Sequence, residues 1–416
     1  MMKKSLYILL LLLSSASFAQ PAFDNNVFLP SIKSIEFYNT SKVASFPVIT
    51  LNSTEQVLLA FDDLRGGVRN YFYTLQHCDS KWNATNISWP EYITSNEDRI
   101  PDYLYSSVTK QQYTHYEIKL PNNNIAPKIA GNYILKVYED RDLTKTILTR
   151  RLYVVGTKGS LGASIVPTNN PTYRQTNQKI NFELNLGNLQ VQNPNNDIKV
   201  LIMQNGRSET GQWTTQPYSI RGNQLVYNDV YSNDFAGRNE FRRFDTRSLR
   251  LKSARIAALY RDTSYTAVLL GDPNRNLPNY SFEFDNDGNF FIMNQDGTDA
   301  RRDGDYVHVY FSLAANKTPA EGTAYIVGRF NDFKIDERSK MEYESTRRRF
   351  YTDLYLKQGV YDYQYVWVDK NGKPDDIALE GSYFETENEY QVLVYYRPNN
   401  ARWDELIGYR LLTNKK

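Results

Sequence analysis

Cysteine is nearly absent from this chain: Cys78 stands alone among 416 residues. No internal disulfide can form, so the folded domains must be held by their cores. A free thiol of this kind is expected to be buried. Histidine is scarce too, with His77, His115 and His308 far apart in sequence. Each sits in an alternating, strand-like stretch, which points to structural roles and away from a three-histidine metal site. An excess of one charge is missing: 49 Lys and Arg face 47 Asp and Glu, interspersed, for a net charge of +2. No global field therefore favours nucleic acid or an anionic membrane surface. There is no Gly-x-Ser-x-Gly elbow and no Gly-Lys phosphate loop. The plentiful carboxylates show no spacing that singles out a glycosidase pair. Asp285-x-Asp287-x-Asn289 resembles the start of a calcium loop, but Phe290 occupies the sixth position, where that loop needs Gly. A hairpin turn is expected there instead. No catalytic residue, metal, cofactor or small-molecule substrate is expected.

Long hydrophobic runs are also lacking. The first residues carry Lys3-Lys4, then an apolar run of eight residues at 6–13, then Ser17-Phe18-Ala19 before Gln20. That order predicts a signal peptide at 1–19, cleaved after Ala19. The run is too short to span a bilayer, and no later segment has 18 consecutive apolar residues. Cleavage leaves no cysteine at the new terminus, so no lipid anchor is expected. The mature chain is expected to be exported, and soluble or peripheral.

What the chain has is tyrosine, 33 in all, a residue enriched in strands. Residues 325–369 show the pattern most clearly. Phe350, Thr352, Leu354 and Leu356 share one face of a strand, and Tyr361, Tyr363, Tyr365 and Trp367 share one face of the next. Lys357-Gln358-Gly359 between them reads as a hairpin turn, making the stretch a β-meander with an aromatic ladder. The ladder suits a sandwich core; an outward-facing ladder would be a platform for a sugar ring or a protein.

Strands are predicted at 35–38, 57–61, 70–79, 115–120, 132–138 and 152–155, an immunoglobulin-like or fibronectin-like sandwich over 20–156. A middle β domain is expected over 157–302, with strands at 179–186, 198–204, 224–227, 265–270 and 280–284. A third sandwich is expected over 303–416. The fold class is all-β, with tandem sandwich domains. Residues 235–245 are dense in arginine; they read either as a solvated loop or as a contact surface, since Arg favours interfaces.

Two resemblances sharpen this reading. Gly328, Phe330 and Asn331 are similar to the Gly-x-Phe-Asn-x-Trp pattern of early-set β-sandwiches that bind starch-type glycans, with Phe333 in place of the Trp. That implies an early-set-like third domain. As an alternative function it implies a carbohydrate-binding protein with an exposed aromatic pair beside Asn331. More extensively, the chain resembles the plug protein family of the type IX secretion system. The resemblance rests on Tyr-x-Tyr-x-Leu-x-His-Cys-Asp-x-x-Trp from Tyr71 with Glu91-Tyr-Ile after it, and on Gly131-Asn-Tyr-Ile-Leu-Lys-Val. It also rests on Asn239-Glu-Phe-Arg-Arg-Phe-Asp, on Gly328-Arg-Phe-Asn-Asp and on residues 380–397, in that order. It implies a non-enzymatic periplasmic protein on the inner face of the outer membrane. Such a protein would dock on the outer-membrane translocon barrel and seal its channel when no cargo is engaged. A releasable interface needs a polar rim with aromatic or Arg anchors. The candidates are Arg238, Arg242, Arg243 and Arg247, with Tyr361, Tyr363 and Trp367 if their face turns outward.

Overall fold

Alternating apolar and polar residues bury one face of a strand and leave the other free, so pairs of such sheets stack into sandwiches. A computed structural model describes residues 22–415; the predicted signal peptide lies outside the described residues. It contains three such stacks. In the first, strands Ile32–Asn39, Val57–Asp63, Thr114–Leu120 and Asp102–Tyr105 form one sheet. The facing sheet is built on Tyr71–Cys78, Gly131–Glu139 and Thr146–Val155. Between them lies a core that includes Phe61, Tyr71, Leu75, Tyr116, Leu135 and Leu152. Cys78 is buried and free.

The other two stacks are not consecutive in sequence. Strand Ile198–Gln204 pairs antiparallel with Glu389–Tyr396, which pairs in turn with Glu405–Thr413. These strands face the sheet of Ser160–Pro167, Asn177–Asn185 and Gln224–Tyr227 across a shared core of Ile180, Ile202, Val392 and Ile407. The middle domain is therefore closed by the C-terminal strands, and the expected division at 302/303 is corrected. The third domain is inserted into the middle one, leaving and returning through two adjacent crossings. The crossings touch where the Tyr383 amide donates to the Arg238 carbonyl. Gly237 lies in this contact; a Cβ there would stand 2.0 Å from the Tyr383 oxygen.

The inserted domain corrects a second expectation. Strands Arg349–Lys357 and Gly359–Asp369 do not pair as a hairpin. The first joins Tyr306–Ala314 and Glu342–Glu344 in one sheet, whereas the second joins Arg242–Asp245, Phe290–Ile292 and Gly322–Val327 in the other. At Gln358 the chain steps from one layer to the next. Gly359 permits the close pairing that follows, since a Cβ there would lie 2.3 Å from the Phe291 oxygen. The two faces thus meet across the core instead of lying side by side, with Phe350 edge-on to Trp367. The strand predicted at 280–284 is irregular backbone. Residues Trp89–Tyr92 make one helical turn.

Candidate interaction site

The predicted anchors divide sharply by burial. Tyr361, Tyr363 and Trp367 are 2%, 0% and 3% exposed. They fill the inserted domain's core, with Tyr361 stacked on Phe244 at 5.1 Å. As partner anchors they are ruled out, because their face turns inward. Arg242 is buried as well. Its Nη1 lies 3.2 Å from Asp272 and its Nη2 3.0 Å from Glu380, and its guanidinium lies over the Tyr365 ring. Tyr363 and Tyr365 both donate to Asp272 Oδ2, at 2.8 and 2.7 Å, and Arg275 adds a 3.1 Å contact to Glu380. Burial pushes the Glu380 carboxyl up, but Arg242 and Arg275 outweigh it and hold the group below its ordinary range. This network satisfies buried charge inside one domain, so Arg242 is not available to a partner.

Arg238 is committed to a seam. Its Nε lies 2.6 Å from Asp376, and it also reaches Gln204 of the middle domain. Arg247 is clamped by Asp245 at 2.6 Å. Arg243 is different: it makes no ion pair among the described residues and stacks on Phe284 at 5.2 Å. Phe284 is 68% exposed. Of the four arginines, only Arg243 and Arg247 line an open cleft of about 430 Å³ without a seam or a core to hold.

The glycan motif resolves into local structure. Gly328, Phe330 and Asn331 belong to a 3₁₀ turn. The Asn331 side chain accepts from the Gly328 amide and donates to the Ile326 carbonyl. Phe330 packs edge-on to Tyr361 and Phe333 packs against Phe241. Among the described residues no exposed aromatic pair stands beside Asn331, because these rings pack on the domain's own core.

The residues that join the domains were the ones sequence reasoning missed. Between the first and inserted domains, Asp62 is fully buried and takes three donors: Lys357 Nζ at 2.7 Å, the Tyr306 hydroxyl at 2.8 Å and His115 Nδ1 at 2.7 Å. Lys357 also sits 4.0 Å over the Tyr113 ring. Burial would raise the Asp62 carboxyl, but Lys357 and His115 hold it below its usual range. His115 is itself raised: burial opposes its charge, and Asp62 and Glu117 more than restore it. Lys357 had read as a hairpin residue and His115 as a lone structural histidine; only the fold brings them together on Asp62. The first and middle domains meet through an apolar cluster of Trp82, Ile134 and Tyr153 against Met203, Leu393 and Leu406. Between the middle and inserted domains, Arg329 donates to the Asn205 and Gly206 carbonyls.

Near this three-way junction lie two buried carboxyls, Asp285 and Asp362, and the half-buried Glu36. Burial, then Asp362, pushes Asp285 up to about 8. Burial pushes Asp362 up to about 7 and Glu36 up to about 7. In the Asp285–Asn289 turn, Asp285 accepts from the Phe241 and Asp287 amides. Among the described residues, no group of three or more His, Cys, Asp or Glu side chains could hold a metal ion. No helix among them is long and apolar enough to cross a membrane.

Known proteins give two findings. The model of the family described as type 9 secretion system plug protein, first domain, matches residues 32–156. A crystal structure of a hypothetical protein from Parabacteroides merdae superposes with a TM-score of 0.90 at 32% identity, covering 95% of this chain and 100% of that one. No curated protein matches the chain. The matched span 32–156 coincides with the first sandwich, and the superposition extends the likeness over the inserted arrangement as well.

Proposed function

Because this chain belongs to the type IX secretion system plug family, we propose that it docks on the periplasmic face of the outer-membrane translocon barrel and closes the channel while no cargo is engaged. It acts through protein–protein contact, without catalysis and without a cofactor. Its place is the periplasm, at the inner face of the outer membrane, held there by its partner.

Beyond family membership, one observation carries the reading: all three domains are joined by buried contacts. A body that must block a wide opening cannot be a string of independent beads, since interfaces that are small and polar leave domains free to move. Here the seams contain the fully buried Asp62–Lys357 pair, the Arg238–Asp376 pair and the apolar cluster around Trp82 and Met203. Polar pairs of this kind fix one geometry, because a shifted arrangement would leave charge buried without a partner. The glycan-binding alternative has lost the residues it rested on, since Phe330 and Phe333 pack inside.

The test is co-purification. A C-terminally tagged chain is recovered from gently solubilised outer membranes, and the co-eluting proteins are identified. A very large β-barrel, reduced when cargo occupies it, is the expected result. Recovery of the chain free of any barrel would overturn the proposal.

A further inference from the structure

Strand Arg242–Asp245 lies at one side of its sheet. It pairs with Gly359–Asp369, and among the described residues no strand pairs with its other edge. The pairing fixes which groups face outward. Thr246 donates its amide to the Gly359 carbonyl, whereas the Asp362 amide goes to Asn289 on the far side of Gly359–Asp369. Alternate residues of an antiparallel strand turn their N–H and C=O to opposite neighbours. Arg242, opposite Tyr363, and Phe244, opposite Tyr361, therefore bond inward. Arg243 and Asp245 turn their backbone groups to the open edge. Phe241, before them in the outward series, gives its amide to Asp285, and the Asp245 carbonyl accepts from the Ser253 hydroxyl. The Arg243 amide and carbonyl and the Asp245 amide have no partner among the described residues.

The cleft of about 430 Å³ follows this edge. Its lining takes in all four residues of the strand, from both faces, together with Ala254, Pro273 and Glu283. These walls recess the edge. They admit one extended segment, whereas the edge of a second sheet would bring its own flanking residues against them. Most charge on the lining is matched within the chain. Arg242 has Asp272 and Glu380, Arg275 has Glu283 and Glu380, Arg255 has Asp272, and Arg247 has Asp245. Arg243 is unmatched. Its register partner Asp362 forms no ion pair with it and accepts the Asn286 amide instead. Its guanidinium is half-buried, rests on Phe284, and finds no acceptor among the described residues.

Outward N–H and C=O groups on a strand edge are answered by another strand, the mode in which peptides add to a sheet. A guanidinium without an acceptor is answered by a carboxylate. We propose that the open edge of Arg242–Asp245 is a strand-addition site. An extended segment of a partner protein pairs with the outward amide and carbonyl of Arg243, and a carboxylate of that segment meets the Arg243 guanidinium. Resting on the plug reading, the segment is a periplasmic turn or tail of the translocon barrel. The site lies beside the crossing at Arg238 through which the chain enters the inserted domain.

The experiment compares tagged wild type, Arg243→Ala, and Tyr231→Ser, which alters an exposed ring of the middle domain. Circular dichroism and thermal melting check that each is folded. The probes are short overlapping peptides covering the periplasmic turns and tails of the barrel, with affinity read by fluorescence anisotropy. Wild type should bind acid-bearing peptides, Arg243→Ala about tenfold more weakly, and Tyr231→Ser as wild type does. A scan of N-methyl groups along the bound peptide should find one amide whose methylation abolishes binding, flanked by two that tolerate it, because neighbouring amides of a strand point to opposite sides. Equal binding by folded Arg243→Ala, or a scan without that alternation, would overturn the assignment. Failure of every peptide while wild type still recovers the intact barrel would overturn it and leave the plug reading standing. Absence of barrel even with wild type would overturn both. Acetate binding at Arg243 with no peptide bound would assign an oxyanion subsite and overturn strand addition. A concentration-dependent dimer of wild type, lost in Arg243→Ala, would assign the edge to a second copy and overturn it as well.

Discussion

Replacing Lys357 with Met tests whether the domains are joined as described. The substitution keeps most of the side-chain volume and its apolar stem, and removes one charge from a pair that is 1% exposed on both sides. Asp62 would then remain buried with the Tyr306 hydroxyl and His115 as its donors. Stranding one member of a buried pair costs about 3–5 kcal/mol; an exposed pair would cost less than about 1 kcal/mol. His115 makes the cost depend on pH. Its folded pKa is raised by Asp62 and Glu117 against the pull of burial. Its stabilising charge is therefore fully present below its ordinary value and is lost as pH rises through the raised one. The loss from Lys357→Met should be smaller on the acid side, where His115 still faces Asp62 with a positive charge, and larger on the alkaline side. The double variant Asp62→Leu/Lys357→Met should recover much of the stability, because removing both charges leaves neither unpaired. Urea unfolding at two pH values, with hydrogen exchange across Tyr306–Ala314, measures all three. A cost below about 1 kcal/mol at both pH values, adding to that of Asp62→Leu without coupling, would refute the buried seam.

Three further outcomes follow from the same structure. Asp285, Asp362 and Glu36 have folded pKa values raised to about 8, about 7 and about 7. Each penalises the fold once it ionises, so thermal stability should fall as pH rises from about 5 to 8; a melting temperature that climbs over that range would contradict it. Gly237→Ala should destabilise by about 3 kcal/mol through overpacking, because its Cβ would meet the Tyr383 oxygen of the returning crossing; an unchanged urea midpoint would count against the tight crossing. Cys78 is buried and its thiol is pushed up to about 12 by burial. Iodoacetamide should therefore leave it unmodified in the native protein and label it in urea, and rapid native labelling would show the first core to be open.

Strands were legible in the sequence wherever alternation was clean, as in Tyr71–Cys78 and Asn177–Asn185, because half-buried sheets demand a period of two. Their partners were not. A Lys-Gln-Gly break joins two strands of a hairpin or carries the chain from one layer to the other with the same residues, and at Gln358 it does the second. Nor does local pattern tell that Glu389–Tyr396 completes a sheet begun at Ile198–Gln204, since pairing across an inserted domain leaves no mark in either strand. The anchor residues fared similarly. Arginine favours interfaces, but it also satisfies buried carboxylates, and Arg242 was taken up by Asp272 and Glu380. The exposed rings of Tyr260, Tyr310 and Tyr351 follow the same alternation as buried ones, so only the sheet's second layer shows which face is covered.

Sealing itself is tested most directly by outer-membrane permeability in cells. Uptake of a large hydrophilic dye is compared in wild type, in a strain lacking this chain, in one lacking the translocon barrel, and in one lacking both. The account predicts increased uptake when the chain alone is missing, reversed when the barrel is removed as well. Unchanged uptake without the chain, or a leak that persists without the barrel, would contradict it.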